Sequence, residues 1–306
     1  MDLLALDTNI VPKVRLLGRV NYNLPWKHFT RTIDEYILYF IKSGELYIRE
    51  GNNDYVLKKG DAFLLEPNIE HSGYKEATCH YYYIHFKHNG ISKIIDKTYT
   101  EISSDLIDKR KLSLTSDIYS EALPTSSIYY LPKHYHYENS SELLSILSEA
   151  EYDFYQRYEN YKTITSLRFL ELLIKICRNY TTTKIEKSEA QFSKSFIKAR
   201  DIVNFISSSY SKKITTSEIE ERFESNYDYL NRVFHKMTGY TIINYLNLVR
   251  INKAKELISN STLKFTEIAY LVGIEDPYYF SKLFKKFTGM SPSKYAKECY
   301  DTIKLK

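Results

Sequence analysis

Two stretches of the chain carry the same chemistry at the same spacing. Leu230 to Gly239 reads LNRVFHKMTG, and Phe280 to Gly289 reads FSKLFKKFTG. Both have a cation at the third position, a phenylalanine at the fifth, a lysine at the seventh and Thr-Gly at the end. At helical spacing Leu230 with Phe234, and Phe280 with Phe284, fall on one buried stripe. Asp228, Asn231 and Arg232 then face outward, as do Tyr278, Ser281 and Lys282 in the second stretch. Arginine or lysine can donate to guanine, asparagine can pair with adenine, and aspartate can only accept from cytosine. Lys236, Lys285 and Lys286 suit phosphate oxygens, which add affinity without reading sequence. The alternative for each is a solvated face of a helical domain.

The elements needed to aim those side chains are readable around them. Ser217 to Gly239 and Thr266 to Gly289 each predict a helix, a tight turn and a second helix. Gly239 and Gly289 stand where a C-terminal cap favours glycine, and Gly273 and Pro277 suit a sharp corner followed by a first helical turn. Thr241 to Ile258 is apolar at helical spacing and predicts one connecting helix. Two recognition helices on such a connector could enter successive major grooves about 34 Å apart.

Charge is distributed to match. Residues 196–306 hold 18 Lys+Arg against 12 Asp+Glu, whereas residues 1–195 hold 25 against 26. A basic module joined to a neutral one fits a polyanion partner. Cys79, Cys177 and Cys299 are far apart and form no metal or redox spacing, so structural thiols in a reduced, cytoplasmic protein are expected. MDLLALDTNIVPKVRLLG lacks the pattern of a secretory signal, and no run of about 18 apolar residues predicts a membrane span.

The first half reads differently. EYILYFI, ELYIRE, DYVLKK, DAFLLE and CHYYYIHF are short aromatic and β-branched runs between turn signals, from about Tyr36 to Phe86. They predict a small sandwich or barrel. Helices follow, one from Ser141 through Leu143, Leu144, Ile146, Leu147, Ala150 and Phe154. The next runs from about Thr163 with Ile164, Leu167, Leu170, Leu173, Ile174 and Cys177 as its apolar stripe. Thr181 to Ser195 is polar and aperiodic, which reads as a linker.

GDAFLLEPNIEH, Gly60 to His71, resembles the second half of a cupin-type motif. A cupin metal site needs three or four converging ligands. Only His71 is in place, and residues 36–50 contain no histidine. Neither a bound metal nor another cofactor is expected, and the chain reads as non-enzymatic.

The second copy resembles the signature of the AraC/XylS family of bacterial transcription regulators: Glu267-Ile268-Ala269, Gly273-Ile274, Asp276, Tyr279-Phe280-Ser281, Phe284-Lys285-Lys286, Gly289, Ser291-Pro292 and Tyr295. Glu220 departs from the pattern, because the family usually has a small Ala there. A carboxylate at a helix-packing position needs a partner or an outward rotation, so a looser first unit is expected.

The resemblance implies an α+β chain of two domains. A cupin-like sensing and dimerisation domain would cover 1–180, a linker 181–195, and an all-α double helix-turn-helix domain 196–306. It also implies a ligand-responsive regulator, more commonly an activator acting with RNA polymerase, that binds double-stranded operator DNA as a homodimer without membrane attachment. Several members bind sugars, so a mono- or disaccharide effector and a sugar-utilisation operon are expected. The resemblance makes Arg31 a ligand contact and turns Tyr81 and Tyr83 inward. Trp26 and His71 are further pocket candidates, although either could serve the core. A ligand-independent regulator and a cupin-type metalloenzyme fused to a DNA-binding tail are the alternatives.

Overall fold

The computed structural model describes residues 3–94, 97–115, 127–188 and 190–304. The chain divides into two compact units, one of residues 1–99 with 124–184 and the other of residues 100–123 with 185–306.

The first unit contains strands β1 (Leu3–Asp7), β2 (Lys13–Trp26), β3 (Tyr36–Glu50), β4 (Asn53–Lys58), β5 (Asp61–Leu65), β6 (His71–Gly73), β7 (Ala77–Lys87) and β8 (Ile91–Lys93). After helix α1 (Tyr99–Thr115), strands β9 (Ile128–Pro132) and β10 (His134–His136) follow. Helices α2 (Ser141–Gln156) and α3 (Tyr161–Ser188) come next. The larger sheet runs β10-β5-β3-β7-β2, with β4 and β6 also paired to β3, and the smaller runs β8-β1-β9. All pairings are antiparallel.

Strand β3 serves two sets of partners because it bends. Its first half pairs with β5 and β7, its second with β4 and β6, and the β3–β7 register shifts between Ile41 and Ser43. Gly44 sits at that bend with φ +78°, and a Cβ there would lie 2.1 Å from the Thr78 carbonyl oxygen. Only glycine allows both the left-handed turn and the close approach.

Alternation along β3 and β7 sends side chains to two cores. Leu38, Phe40, Tyr82, Ile84 and Phe86 pack against Leu143, Ile146 and Leu147 of α2 and against Phe169, Leu172, Leu173, Ile176 and Cys177 of α3. Ile37, Tyr39, Ile41, Phe63, Cys79 and Tyr81 form the second core, bordered by Tyr22, Trp26 and Tyr83. Each fully buried Leu, Ile or Phe side chain contributes roughly 1.5–3 kcal/mol through its loss of contact with water.

The second unit holds α4 (Ala190–Ser209), α5 (Thr216–Phe223), α6 (Tyr227–Thr238), α7 (Ile242–Asn260), α8 (Phe265–Leu271), α9 (Pro277–Thr288) and α10 (Pro292–Lys304). The helix-turn-helix pairs are α5–α6 and α8–α9. α7 is the connecting helix read from the sequence.

Three expectations are corrected. Residues 181–188 and 190–195 are helical rather than an irregular linker. Nothing between Tyr161 and Ser209 is Gly or Pro, so polarity alone does not interrupt the helix. The units part at Lys184–Ile185. Next, the described residues 100–115 belong to the second unit rather than to a continuous domain 1–180. Leu114 joins the core of Ala199, Ile202 and Phe205, its carbonyl accepts from the Tyr245 hydroxyl at 3.1 Å, and Arg110 lies over the Phe196 ring. Helical periodicity does not say which core a helix joins. Finally, the buried stripe of α3 is Phe169, Leu172, Leu173, Ile176 and Cys177, while Ile164 and Leu167 are exposed.

Candidate nucleic-acid interface and ligand site

The two recognition helices begin on caps built from their own turns. Asn226 accepts from the amides of Asp228 and Tyr229 at the start of α6, and Asp276 accepts from Tyr278 at the start of α9. These caps satisfy donors that a helix start leaves open. Glu220 resolves its own difficulty here. Its Oε1 accepts from the Tyr227 amide at 2.7 Å and from Asn226 Nδ2 at 3.3 Å. The carboxylate bridges the turn of the first unit instead of loosening it, which corrects the expectation from Ala.

The repeat persists in atomic detail. Thr238 donates to the Phe234 carbonyl at 2.8 Å and accepts from the Tyr240 amide, and Thr288 does the same with Phe284 and Met290. Phe234 meets Tyr245 edge-on at 5.4 Å, and Phe284 meets Tyr295 at 5.5 Å. Gly239 and Gly289 close the helices at φ +78° and +80°.

Buried Leu230 and Phe234 orient α6 so that Asp228, Arg232, His235 and Lys236 are exposed. Buried Phe280, Leu283 and Phe284 leave Tyr278, Tyr279, Ser281, Lys282, Lys285 and Lys286 exposed on α9. Lys282 Nζ lies 4.6 Å from the Tyr278 ring centre, a cation–π pair that holds both on one helix face. Ser281 donates to the Pro277 carbonyl at 3.0 Å.

Asn231 is the exception. It is half-buried, and its Oδ1 accepts from the Ile242 amide at 2.9 Å. Bidentate pairing with adenine needs that oxygen, so the outward reading of Asn231 is corrected to an internal one. His235 was missed, although it occupies the place of Lys285 in the repeat. Tyr279 was missed as an exposed aromatic on the same surface.

The two helix-turn-helix pairs share a loop. Arg250 of α7 donates from Nε to the Tyr210 carbonyl and from Nη2 to the Lys212 carbonyl, both at 2.8 Å. A Cβ on Gly273 would lie 2.7 Å from the Tyr210 oxygen and 2.8 Å from that of Ser211. The glycine is therefore required by the approach of this loop as well as by its φ of +80°.

In the sensor unit Arg31 and His71 are directly bridged partners, exchanging both backbone hydrogen bonds at 3.0 Å. Their side chains meet as well, with Arg31 Nε donating to His71 Nε2 at 3.0 Å. His71 therefore carries its proton on Nδ1. Arg31 Nη2 reaches the Tyr39 hydroxyl at 3.4 Å, and that hydroxyl donates to His28 Nε2 at 2.9 Å. The His28 Nδ1–H donates to the Phe29 carbonyl at 2.7 Å. Burial, joined by the charge of Arg31, pushes the His71 imidazole down to about 4. Burial likewise lowers His28 to about 4. Tyr39 is raised to about 12 by burial, and Tyr81 is also raised by burial. All of these groups are neutral at pH 7.

Tyr81 meets Tyr39 edge-on at 5.1 Å, and Tyr83 borders the same core. Gly18 lies opposite Tyr83 in the β2–β7 register, and a Cβ there would fall 2.5 Å from its hydroxyl. Trp26 stacks on Tyr22 at 4.3 Å and meets His28 at 5.3 Å. Thus Trp26, Arg31, His71, Tyr81 and Tyr83 are gathered around one core, joined by Tyr22, His28 and Tyr39, which sequence reasoning missed. Among the described residues no three His, Cys, Asp or Glu side chains are grouped to hold a metal ion. No described helix is long and apolar enough to cross a membrane.

The comparisons agree with this anatomy. Residues 20–99 match the model of an AraC-like ligand binding domain, and residues 220–298 match a helix-turn-helix domain. The chain is 27% identical to the HTH-type transcriptional regulator YisR of Bacillus subtilis, over 88% of each chain. It is 23% identical to the Msm operon regulatory protein of Streptococcus mutans, over 87% of this chain and 85% of that one. A shorter match, 38% identical, covers 32% of this chain and 38% of the transcriptional regulatory protein HptR of Staphylococcus aureus. A ligand-binding barrel, followed by two capped helix-turn-helix units, makes this chain a DNA-binding transcription regulator of the AraC family.

Proposed function

We propose that this regulator reads its operator with both recognition helices and senses a mono- or disaccharide in its barrel. The observation that carries the DNA half is the pair of matched exposed faces, Arg232 and Lys236 on α6 and Lys282 and Lys286 on α9. Arg232 and Lys282 read bases, with Asp228, Tyr278 and Ser281 beside them, while Lys236, Lys285 and Lys286 hold phosphates. DNA selected from a random pool with the full chain yields a preferred site. Arg232→Ala and Lys282→Ala each lose discrimination at particular positions of it, by about 1–3 kcal/mol per base pair. Wild-type preference in both variants would remove them as reading residues.

The sugar half is supported by the company Arg31 keeps. Tyr81, Tyr83, Tyr22 and Trp26 supply aromatic faces for C–H patches, and Arg31, His71 and Tyr39 supply polar groups for hydroxyls. A thermal-shift screen against mono- and disaccharides, repeated with Arg31→Ala, tests it through stabilisation by mass action. Activation through RNA polymerase of a sugar-utilisation operon, in the cytoplasm, completes the reading.

A second copy of the chain pairs on the sensor unit. Ile164 and Leu167 on α3, with Tyr152 and Tyr155 on α2 and Tyr158 after it, leave large apolar side chains in water. Dimers place two DNA-binding units on repeated half-sites. Sedimentation equilibrium on Leu167→Glu should show a shift toward monomer.

A further inference from the structure

Among the described residues Arg31 is the one cation of the sensor cluster, and the partners of its side chain are neutral. Its Nε meets an imidazole, its Nη2 a phenol hydroxyl, and its Cζ lies 4.9 Å over the Phe29 ring. Neighbouring acids are committed elsewhere. Glu35 accepts from Arg15 Nε with both oxygens at 2.8 Å and faces His85 at 3.5 Å, and Glu151 faces Arg19 at 3.7 Å. Among the described residues the rest of the guanidinium fork, Nη1 and the second Nη2 hydrogen, finds no hydrogen-bond partner.

We propose that the effector carries a carboxylate, making it a sugar acid rather than a neutral sugar, and that the free edge of Arg31 receives it as a two-point pair. The inference rests on the sugar-sensing reading above and narrows it.

The direction of the hydrogen bonds supports this. Arg31 donates to Tyr39, Tyr39 donates to His28, and His28 donates to the Phe29 carbonyl. Tyr39 accepts from Arg31 and His28 accepts from Tyr39, so the chain of partners holds no anion at neutral pH. Tyr39 stays protonated because burial raises its hydroxyl to about 12. A neutral ligand closing over this site would strip water from a charge and return only dipoles. A carboxylate returns a counter-ion whose geometry matches the planar fork. The aromatic walls of Tyr22, Trp26 and Tyr83 leave the remainder of the ligand a stacking surface.

The experiment is calorimetric titration of the full chain with matched pairs, galacturonate against galactose and glucuronate against glucose, with galactose 6-phosphate as a third arm. One uronate should bind about 10- to 100-fold tighter than its neutral partner, the range lost with a charged hydrogen bond. Its affinity should weaken with salt while that of the neutral sugar does not. Arg31→Gln should weaken the uronate far more than the neutral sugar, which loses only a hydrogen bond to a hydroxyl, so that the preference disappears. Arg31→Lys keeps the charge without the fork and should retain a reduced preference, which covers a failure of the glutamine variant to fold.

Equal or tighter binding of the neutral partners overturns the carboxylate and leaves the sugar sensor standing. Binding of the phosphate alone also overturns it. Binding of none of these sugars, together with an empty thermal-shift screen, removes the sugar reading and this inference with it.

Discussion

The amide of Ile242 donates to the side-chain oxygen of Asn231 across 2.9 Å, tying the second turn of one recognition helix to the first residue of the connecting helix. In the second copy the equivalent positions are Ser281 and Pro292. Proline has no N–H to satisfy, and the side chain opposite it has no amide to cap, so Ser281 turns back to its own helix. The two differences between the copies thus explain each other. Asn231→Ala should destabilise the helical unit by about 1 kcal/mol, since a helix-start amide loses its acceptor. Base preference should be unchanged. Thermal melts combined with binding to a selected DNA site check both halves.

Glu220 and Glu224 call for opposite outcomes. Removing the Glu220 carboxylate exposes the Tyr227 amide and frees the turn, so Glu220→Ala should cost about 1–2 kcal/mol. Glu224 occupies the place of Gly273 and is held at φ +47°. Glu224→Gly relieves a left-handed side chain and should stabilise by up to about 1 kcal/mol. Denaturant midpoints of the full chain decide the signs.

Gly273→Ala should be among the most damaging single-methyl changes in the second unit. The new Cβ meets the backbone oxygens of Tyr210 and Ser211, in a loop that Arg250 holds through the Tyr210 and Lys212 carbonyls. Strain of about 1–3 kcal/mol from overpacking adds to the cost of positive φ. Hydrogen exchange should show faster opening of the 210–212 loop and α8. An unaltered exchange pattern would mean that the loop yields freely.

Sensor stability should fall as pH drops from about 6.5 toward 4. His28 and His71 are lowered to about 4 by burial, so the unfolded chain binds protons first in that window. The stability they contribute is present above the unfolded value near 6.5 and is lost toward the folded one, up to about 2 kcal/mol each by pH 5. Melting curves between pH 7.5 and 5 measure the slope. His71→Gln, which keeps an acceptor for Arg31, should flatten it.

A buried triad makes a separate prediction. Lys133 lies 2.6 Å from Glu50 and 2.7 Å from Glu66, with little exposure of any of the three. Burial alone would raise the Glu66 carboxyl, but the hydrogen bond and charge of Lys133 hold it below the ordinary value. Lys133→Met leaves two carboxylates facing each other and should cost about 3–5 kcal/mol, read as a drop in denaturant midpoint.

The duplicated helix-turn-helix was legible because its information is local. Leu230, Phe234, Phe280 and Phe284 set helix faces at i, i+4, and Gly239, Gly289, Asp276 and Pro277 mark ends through backbone constraints that each residue carries itself. Strands β4, β5 and β7 were legible for the same reason, from alternation between turn residues, whereas β3 was read as two runs broken at Ser43-Gly44 and the three-residue β6 was not read. Strand β2 was not, because its apolar residues are spread among half-exposed positions and it contains Gly18 and Pro25. What the second helical copy could not convey alone was that Gly273 also makes room for the Tyr210 carbonyl.

Only the tertiary structure decided the rest, since each case depends on what a distant residue occupies. Asn231 has an outward helical position by periodicity and an inward partner by packing. Glu220 is a defect by analogy and a bridge by geometry. Residues 100–115 lie in sequence between strands of one unit and bury Leu114 in the other. Arg31 is one basic residue among many until His71, Tyr39 and Phe29 surround it without a negative charge. Local sequence determines which backbone shapes are cheap, whereas long-range contacts determine which polar groups have found a partner and which still have a free edge.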